Sequence, residues 1–264
     1  MRIEMQNLLR DIEKFTSRFI EINEKFRSGI YLPEETKQLL VEYTDFILNT
    51  ENRNIWEVNV DVEDLQIKNT VSKIQKESAY CVCIMEKYRA RELLTSGDTP
   101  VDYFKNVEGC IENEFRYLDI NENSKVLLVG VGSFPMTPLI IAGNIRASVV
   151  GIDIDEEAVE YAREVIEVLG SDLDITVTTK SYAEIEFTSK ATHIIIASTI
   201  LEKFDILNQL YAITNNDVIV MMRYGNGFKS LFNYPLVDEL KSPWKQIENI
   251  CYEDNVFDVA IYKK

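Results

Sequence analysis

The residues best suited to chemistry gather first in "VLLVGVGSFPMTPL", residues 126–139. An apolar run stops there at Gly130-Val131-Gly132. Glycine lets the backbone approach a ligand closely and adopt positive φ. A second apolar run, "SVVGIDI", ends at Asp153. A carboxylate at the end of the second strand of a nucleotide-binding unit can accept hydrogen bonds from both hydroxyls of a ribose. Alone, the glycines read as a turn pair and Asp153 as a solvated acid. Combined with the strand before them and the helix "DEEAVEYAREVIEVLG" after them, they point to a nucleoside. The third glycine of the dinucleotide fingerprint is missing, and Pro135 removes a backbone amide that a pyrophosphate would want at a helix N-terminus. No basic residue lies nearby, so the turn suits a ligand without phosphates. Gly130, Gly132, Ser133, Pro135, Thr137 and Asp153 form this candidate site.

The elements that must position these residues fall into two textures. Residues 1 to about 120 read as helices. Leu8, Ile12, Phe15, Phe19, Ile22 and Phe26 make one apolar stripe. After "RSGIYLPEE", Pro33 suits a first helical turn, and Leu39, Leu40, Tyr43, Phe46 and Ile47 repeat the pattern. A third helix is expected over about residues 62–94 and a fourth over about 100–117, a bundle with its own core. From Lys125 onward, strands and helices alternate, as in a doubly wound parallel sheet. Two strands near residue 264 pair antiparallel and resemble the last hairpin of class I S-adenosylmethionine (SAM)-dependent methyltransferase folds. The expected organisation is a helical domain, residues 1–120, followed by a Rossmann-like SAM-binding α/β domain, residues 121–264.

Ligands on such sheets lie at the carboxyl ends of the strands, near the point where strand order reverses. SAM carries a ribose, an adenine, an amino-acid tail and a cationic sulfonium. Asp153 suits the ribose, and an acidic field suits the sulfonium. Tyr182 falls where this fold usually contacts adenine, and Ser198 and Thr199 face the same crevice after the fourth strand. Arg223 follows the fifth strand, where a guanidinium can grip a carboxylate through two hydrogen bonds or pair with a neighbouring acid. Glu86 lies in an apolar helical setting, "YCVCIMEKY". Partial burial there would raise its proton affinity toward that of a general base, the alternative being a solvated helix glutamate. Arg89 and Arg91 close behind it suit either an anionic substrate or the surface.

"GVGSFPMTP", then "GIDIDEEAVEYA", resembles the nicotianamine synthase family, whose glycine turn also leads into a proline and a threonine. "RYGNGFKSLFNYP", residues 223–235, resembles that family's stretch after the fifth strand, with one extra residue before Tyr234. "MEKYRARELL", "DYFKNVEGCIENEF" and "FNYP" are similar to the bacterial branch, the histidine 2-aminobutanoyltransferases of staphylopine-type metallophore biosynthesis. The resemblance covers most of residues 75–264, and the first 70 match mainly as a helical domain of the right size. It implies transfer of the 3-amino-3-carboxypropyl group of SAM to the amine of histidine, D-histidine favoured, with release of 5'-methylthioadenosine. SAM is then a co-substrate, no metal is needed for catalysis, and an opine dehydrogenase is the expected pathway partner. A homodimer is compatible with this reading. Glu86 aligns with the family's proposed catalytic glutamate. Tyr103 resembles an active-site tyrosine region, although Val107 stands where plant-type members carry a further tyrosine. Arg223, Arg89 and Tyr234 would meet the substrate. Ordinary methyl transfer and a non-catalytic nucleoside-binding role are the competing readings.

Composition narrows the classes. The chain is 46% hydrophobic, enough for a sizeable core, and no apolar run is long enough to span a bilayer. The stretch "MRIEMQNLLRDIEKF" lacks the apolar centre of a signal peptide, so a cytoplasmic protein is expected. A net charge of −16 argues against nucleic acid as a partner. Cys81 and Cys83 are not spaced for zinc, and the single histidine, His193, is far away, so the thiols read as reduced. His193 reads as a strand-start packing residue.

Overall fold

The computed structural model describes residues 3–61, 64–97, 111, 114, 118–236 and 243–264. The alternating apolar steps of the first segment form α1, Ile3–Arg27, which buries Met5, Leu8, Ile12, Phe19 and Ile22. Pro33 opens α2, Pro33–Leu48, in its first turn. Next comes α3, Thr50–Asn59, capped by Asn49, whose side chain accepts from the Asn52 amide. This helix is additional to those the apolar pattern predicts. Its segment "TENRNIWEVN" buries only Trp56 and so shows no apolar stripe. The long helix α4 is Leu65–Ser96. The helix expected over residues 100–117 lies outside the described residues except at Ile111 and Glu114, which are helical.

The chain forms two compact units that do not follow the expected division at residue 120. One comprises Met1–Met85, Tyr224–Val237 and Tyr252–Asp258, the other Glu86–Arg223, Asp238–Cys251 and Val259–Lys264. In the first unit an aromatic core joins helices to a late segment. Tyr43 packs edge-on against Phe19 and Phe232 at 5.0 and 5.2 Å, and Trp56 lies 5.6 Å from Phe228. The buried Tyr43 hydroxyl donates to the Leu231 carbonyl at 2.8 Å, and Gln75 donates to that of Ser230 at 2.6 Å. Lys229 is buried in an ion pair with Asp258 at 2.6 Å and also donates to the Tyr252 carbonyl.

In the second unit, the alternation expected from Lys125 is present. The strands are β1 Lys125–Val129, β2 Ser148–Ile152, β3 Ile175–Thr178, β4 His193–Ile196, β5 Ile219–Tyr224, β6 Lys245–Ile250 and β7 Asp258–Lys263. They lie in the order β3-β2-β1-β4-β5-β7-β6. The first five are parallel, and β6 and β7 pair antiparallel with an irregularity between Gln246 and Glu248. Between strands run α5 Met136–Ile145, α6 Glu156–Leu169, the short α7 Phe187–Lys190 and α8 Lys203–Ile213. The central β4 is buried along its length, as a strand covered on both faces must be. His193 opens it, with Nε2 2.6 Å from the Leu118 carbonyl oxygen and Nδ1 2.8 Å from the Thr192 hydroxyl. Burial lowers its pKa, so it is a packed, hydrogen-bonded histidine, as expected. The order runs outward in both directions from β1 and β4, which makes their carboxyl ends the switch point.

Candidate active site

Val129 pairs with Ile152 on one side and with Ile196 on the other, so β1, β2 and β4 end level. Gly130 and Gly132 follow β1 with φ of +86° and +67°. A Cβ on Gly130 would come 3.0 Å from the Ala197 Cβ and 3.0 Å from an Ile200 methyl carbon, both after β4. A Cβ on Gly132 would come within 2.1 Å of Glu86 Oε2. A side chain at either glycine would therefore collide with these groups, in addition to straining the backbone.

Two carboxylates meet on consecutive amides of the turn. Asp153, just past β2, accepts from the Gly132 amide through Oδ2 at 2.9 Å and from the Asp155 amide through Oδ1 at 3.1 Å. Glu86 of α4 accepts from the Ser133 amide through Oε2 at 3.2 Å. Glu86 is half-buried overall, but its carboxyl group is strongly desolvated. That desolvation, reinforced by the negative charge of Asp153, pushes its pKa up to about 8 against the opposing pull of the Ser133 amide and Arg89. Near neutral pH such a carboxyl group can both hold and release a proton.

Arg89 lies one turn beyond Glu86 and is only 2% exposed, which rules out a plain surface role. Its guanidinium carbon stands 4.4 Å from the centroid of the Phe134 ring, a cation–π contact. Phe134 belongs to an apolar cluster with Ala90, Leu93 and Val165. Arg91 is exposed.

Arg223, in β5, is buried and clasps Glu114. Nε donates at 3.0 and 3.2 Å to the two carboxylate oxygens and Nη2 at 2.6 Å to Oε2, while Nη1 donates to the Thr137 hydroxyl at 3.3 Å. Of the two roles open to Arg223, the pairing with an acid is the one formed here. Thr137 is buried and serves as a partner of this arginine. Pro135 stands at the N-terminal cap of α5.

Tyr182 lies after β3 and donates to the Gln209 side chain at 2.8 Å. Ser198 and Thr199 follow β4 and are half-buried. The parallel register thus sets Gly130, Asp153, Tyr182, Ser198 and Arg223 along the carboxyl edge of the sheet. Tyr234 belongs to the first unit, where its carbonyl accepts from the Gly225 amide at 3.2 Å. Tyr103 lies outside the described residues.

Lys203 is a residue that the sequence pattern does not single out. It is completely buried at the start of α8 and donates to the carbonyls of Ser198 and Arg223, both at 2.8 Å. Desolvation lowers its pKa to about 7. It ties the end of β4 to that of β5. In "ILEKFDIL" it reads as a surface lysine, and no local signal distinguishes it. Among the described residues, no group of three or more His, Cys, Asp or Glu side chains could hold a metal ion.

A parallel sheet with a glycine turn after β1 and an acid after β2 places the second unit in the class I SAM-methyltransferase-like group of folds. More narrowly, the chain belongs to the nicotianamine synthase protein family, which it matches over residues 34–264. The match starts well inside the helical region that the motifs alone cover only by size. The chain is 29% identical over 216 residues to the L-histidine 2-aminobutanoyltransferase of Pseudomonas aeruginosa (strain UCBPP-PA14), spanning 81% of this chain and 80% of that one. It is 28% identical over 192 residues to the enzyme of the same name from Yersinia pestis, spanning 72% and 71%. Among solved structures, MtNAS in complex with MTA and tNA matches with a TM-score of 0.79 at 16% identity, over 100% of this chain and 99% of that one. A mutant of MtNAS in complex with S-adenosylmethionine matches with a TM-score of 0.77, also at 16% identity and over the same shares. At that identity the likeness speaks for the fold.

Proposed function

We propose that this chain transfers the 3-amino-3-carboxypropyl group of SAM to the amine of histidine and releases 5'-methylthioadenosine. The observation that carries the reading is the pair of carboxylates on consecutive amides of the glycine turn, Asp153 and, beside it, Glu86 with a proton affinity matched to neutral pH; the reading assigns the ribose to Asp153. The turn fits the nucleoside of SAM. Both Asp153 oxygens accept backbone amides and each keeps a second lone pair for a ribose hydroxyl. The missing Cβ at Gly132 lets the Glu86 carboxylate stand against the turn.

The sulfonium of SAM activates the carbons attached to it, and geometry decides which is attacked. Ionised Glu86 takes the proton from the acceptor ammonium. The freed amine nitrogen then forms a bond to the aminobutanoyl carbon as the carbon–sulfur bond breaks and its electron pair stays on sulfur. The curated relatives are named for L-histidine, which replaces the D enantiomer as the acceptor of choice. A cytoplasmic enzyme that needs no metal, supplies a staphylopine-like metallophore pathway, hands its product to an opine dehydrogenase and works as a homodimer completes the proposal.

Incubation with SAM and L-histidine should give 5'-methylthioadenosine and an aminobutanoylated histidine on chromatography with mass detection. S-adenosylhomocysteine as the main nucleoside would replace the reading with methyl transfer. A faster reaction with D-histidine would restore the other enantiomer.

A further inference from the structure

Lys87 follows Glu86 on α4 and faces a different partner. Its side chain is only 14% exposed, and its ammonium lies 2.9 Å from Asp155 Oδ2 and 2.5 Å from Glu157 Oε2. Asp155 is the N-terminal cap of α6, accepting from the Glu157 amide at 3.0 Å and the Ala158 amide at 3.3 Å. The Asp155 amide in turn donates to Asp153, Asp153 accepts from Gly132, and the next amide, that of Ser133, donates to Glu86. Glu86 and Lys87 are neighbours in the chain, so the path closes on itself. We propose that Lys87 is a positioning residue, whose clamp on the start of α6 closes a hydrogen-bonded circuit that holds Glu86 and Asp153 at a fixed separation.

The inference rests on the roles given to Glu86 and Asp153 above. As a surface attraction the contact would count for little, because Asp155 and Glu157 are 44% and 57% exposed. Its weight lies in placement. A reacting group displaced by a fraction of an ångström loses rate even when nothing unfolds. Lys87 also bears on the proton affinity of Glu86, through placement. Asp153 and Arg89 are the charged groups that act on Glu86, one raising and one lowering its proton affinity, while Asp155 and Glu157 face Lys87. Without the clamp Glu86 is free to leave the Ser133 amide, whose hydrogen bond lowers its proton affinity, and its ionisation becomes harder.

The test uses the full chain with Lys87→Met, Lys87→Arg, Asp155→Asn and the double variant Lys87→Met/Asp155→Asn. Asparagine keeps the helix cap, so Asp155→Asn separates the clamp from the fold of α6. Calorimetry with SAM alone should show affinity about 3- to 10-fold weaker in Lys87→Met and in Asp155→Asn, with the double variant no worse than the weaker single. In turnover, the pH at half-maximal rate should rise in Lys87→Met and return toward the wild-type value in Lys87→Arg. Additive losses in the double variant would overturn the proposal. So would an unchanged SAM affinity, or an unchanged pH midpoint with equal loss in Lys87→Arg and Lys87→Met. The binding arm needs no turnover. If the wild type binds SAM but makes no methylthioadenosine, the transferase reading fails while Lys87→Met still reads the clamp. If it makes methylthioadenosine and Lys87→Met changes nothing, the clamp fails alone.

Discussion

Two glutamates of the α/β unit show two ways to place an acid out of water. Glu114 is fully buried and meets a guanidinium through three hydrogen-bond contacts. Glu86 is half-buried and is held by one backbone amide. Arg223 compensates the charge of the first at short range. The second has Arg89 as an opposing cation, but desolvation and Asp153 outweigh it, so the pKa rises to about 8. A tightly paired carboxylate fixes structure, and an undercompensated one can exchange a proton near neutral pH. In this chain the two acids thus differ in the partner each is given.

The strongest way to break this contrast is Glu86→Gln, which keeps shape but cannot take the proton. Turnover at saturating histidine should fall about 10²- to 10⁴-fold with SAM affinity nearly kept, and higher pH should rescue part of it as solvent supplies free amine. Wild-type activity should rise with pH through about 8. Stability should move the opposite way. Folded Glu86 holds a proton that an unfolded chain has released between pH 4.5 and about 8, so this group's contribution falls as pH rises through that window, and the variant should lack the fall. Near wild-type turnover at neutral pH would make Glu86 a structural or binding carboxylate and transfer the proton to another group.

Arg223→Met tests the other half of the contrast. It leaves Glu114 buried without its cation and should cost about 3–5 kcal/mol in denaturant unfolding. Adding Glu114→Gln should recover part of the loss. An unaltered midpoint would mean that the pair does not hold the fold and would reopen Arg223 as a grip for a substrate carboxylate.

Asp153→Ala, the smallest effect, sharpens the comparison. Asp153 acts on Glu86, and the proposed function gives it the ribose as well. SAM affinity should weaken by about 1.5–3 kcal/mol in calorimetry, the scale of hydrogen bonds to a charged group. Unchanged affinity would remove Asp153 from the ribose site.

The parts of this site legible in the sequence are those fixed by neighbours along the chain. The runs "VLLV", "SVVGI" and "HIII" fill buried strands, and glycines with positive φ stand where the backbone turns after β1. Asp153 is readable because the end of a second strand is a place, not only a residue. Lys87 and Glu114 are not, because each is defined by a partner far away in sequence, and Lys203 is not, because its partners are backbone carbonyls at two strand ends; charged residues on helices look alike until the helix is packed. The α3 helix escapes for a related reason: Trp56 alone holds its buried face, and one residue makes no period. The expected boundary at residue 120 follows a change of texture, whereas compactness follows contact.

The first compact unit brings Met1–Met85 together with Tyr224–Val237 and Tyr252–Asp258. During synthesis the helices leave the ribosome long before the segments that complete their core, among them Leu231, Phe232 and the Asp258 that neutralises buried Lys229. The nascent N-terminal region must therefore wait with its aromatic face uncovered while the intervening α/β segment is translated, an interval in which chaperone binding or aggregation can compete with folding. A chain cut short after the helices would remain in that waiting state permanently.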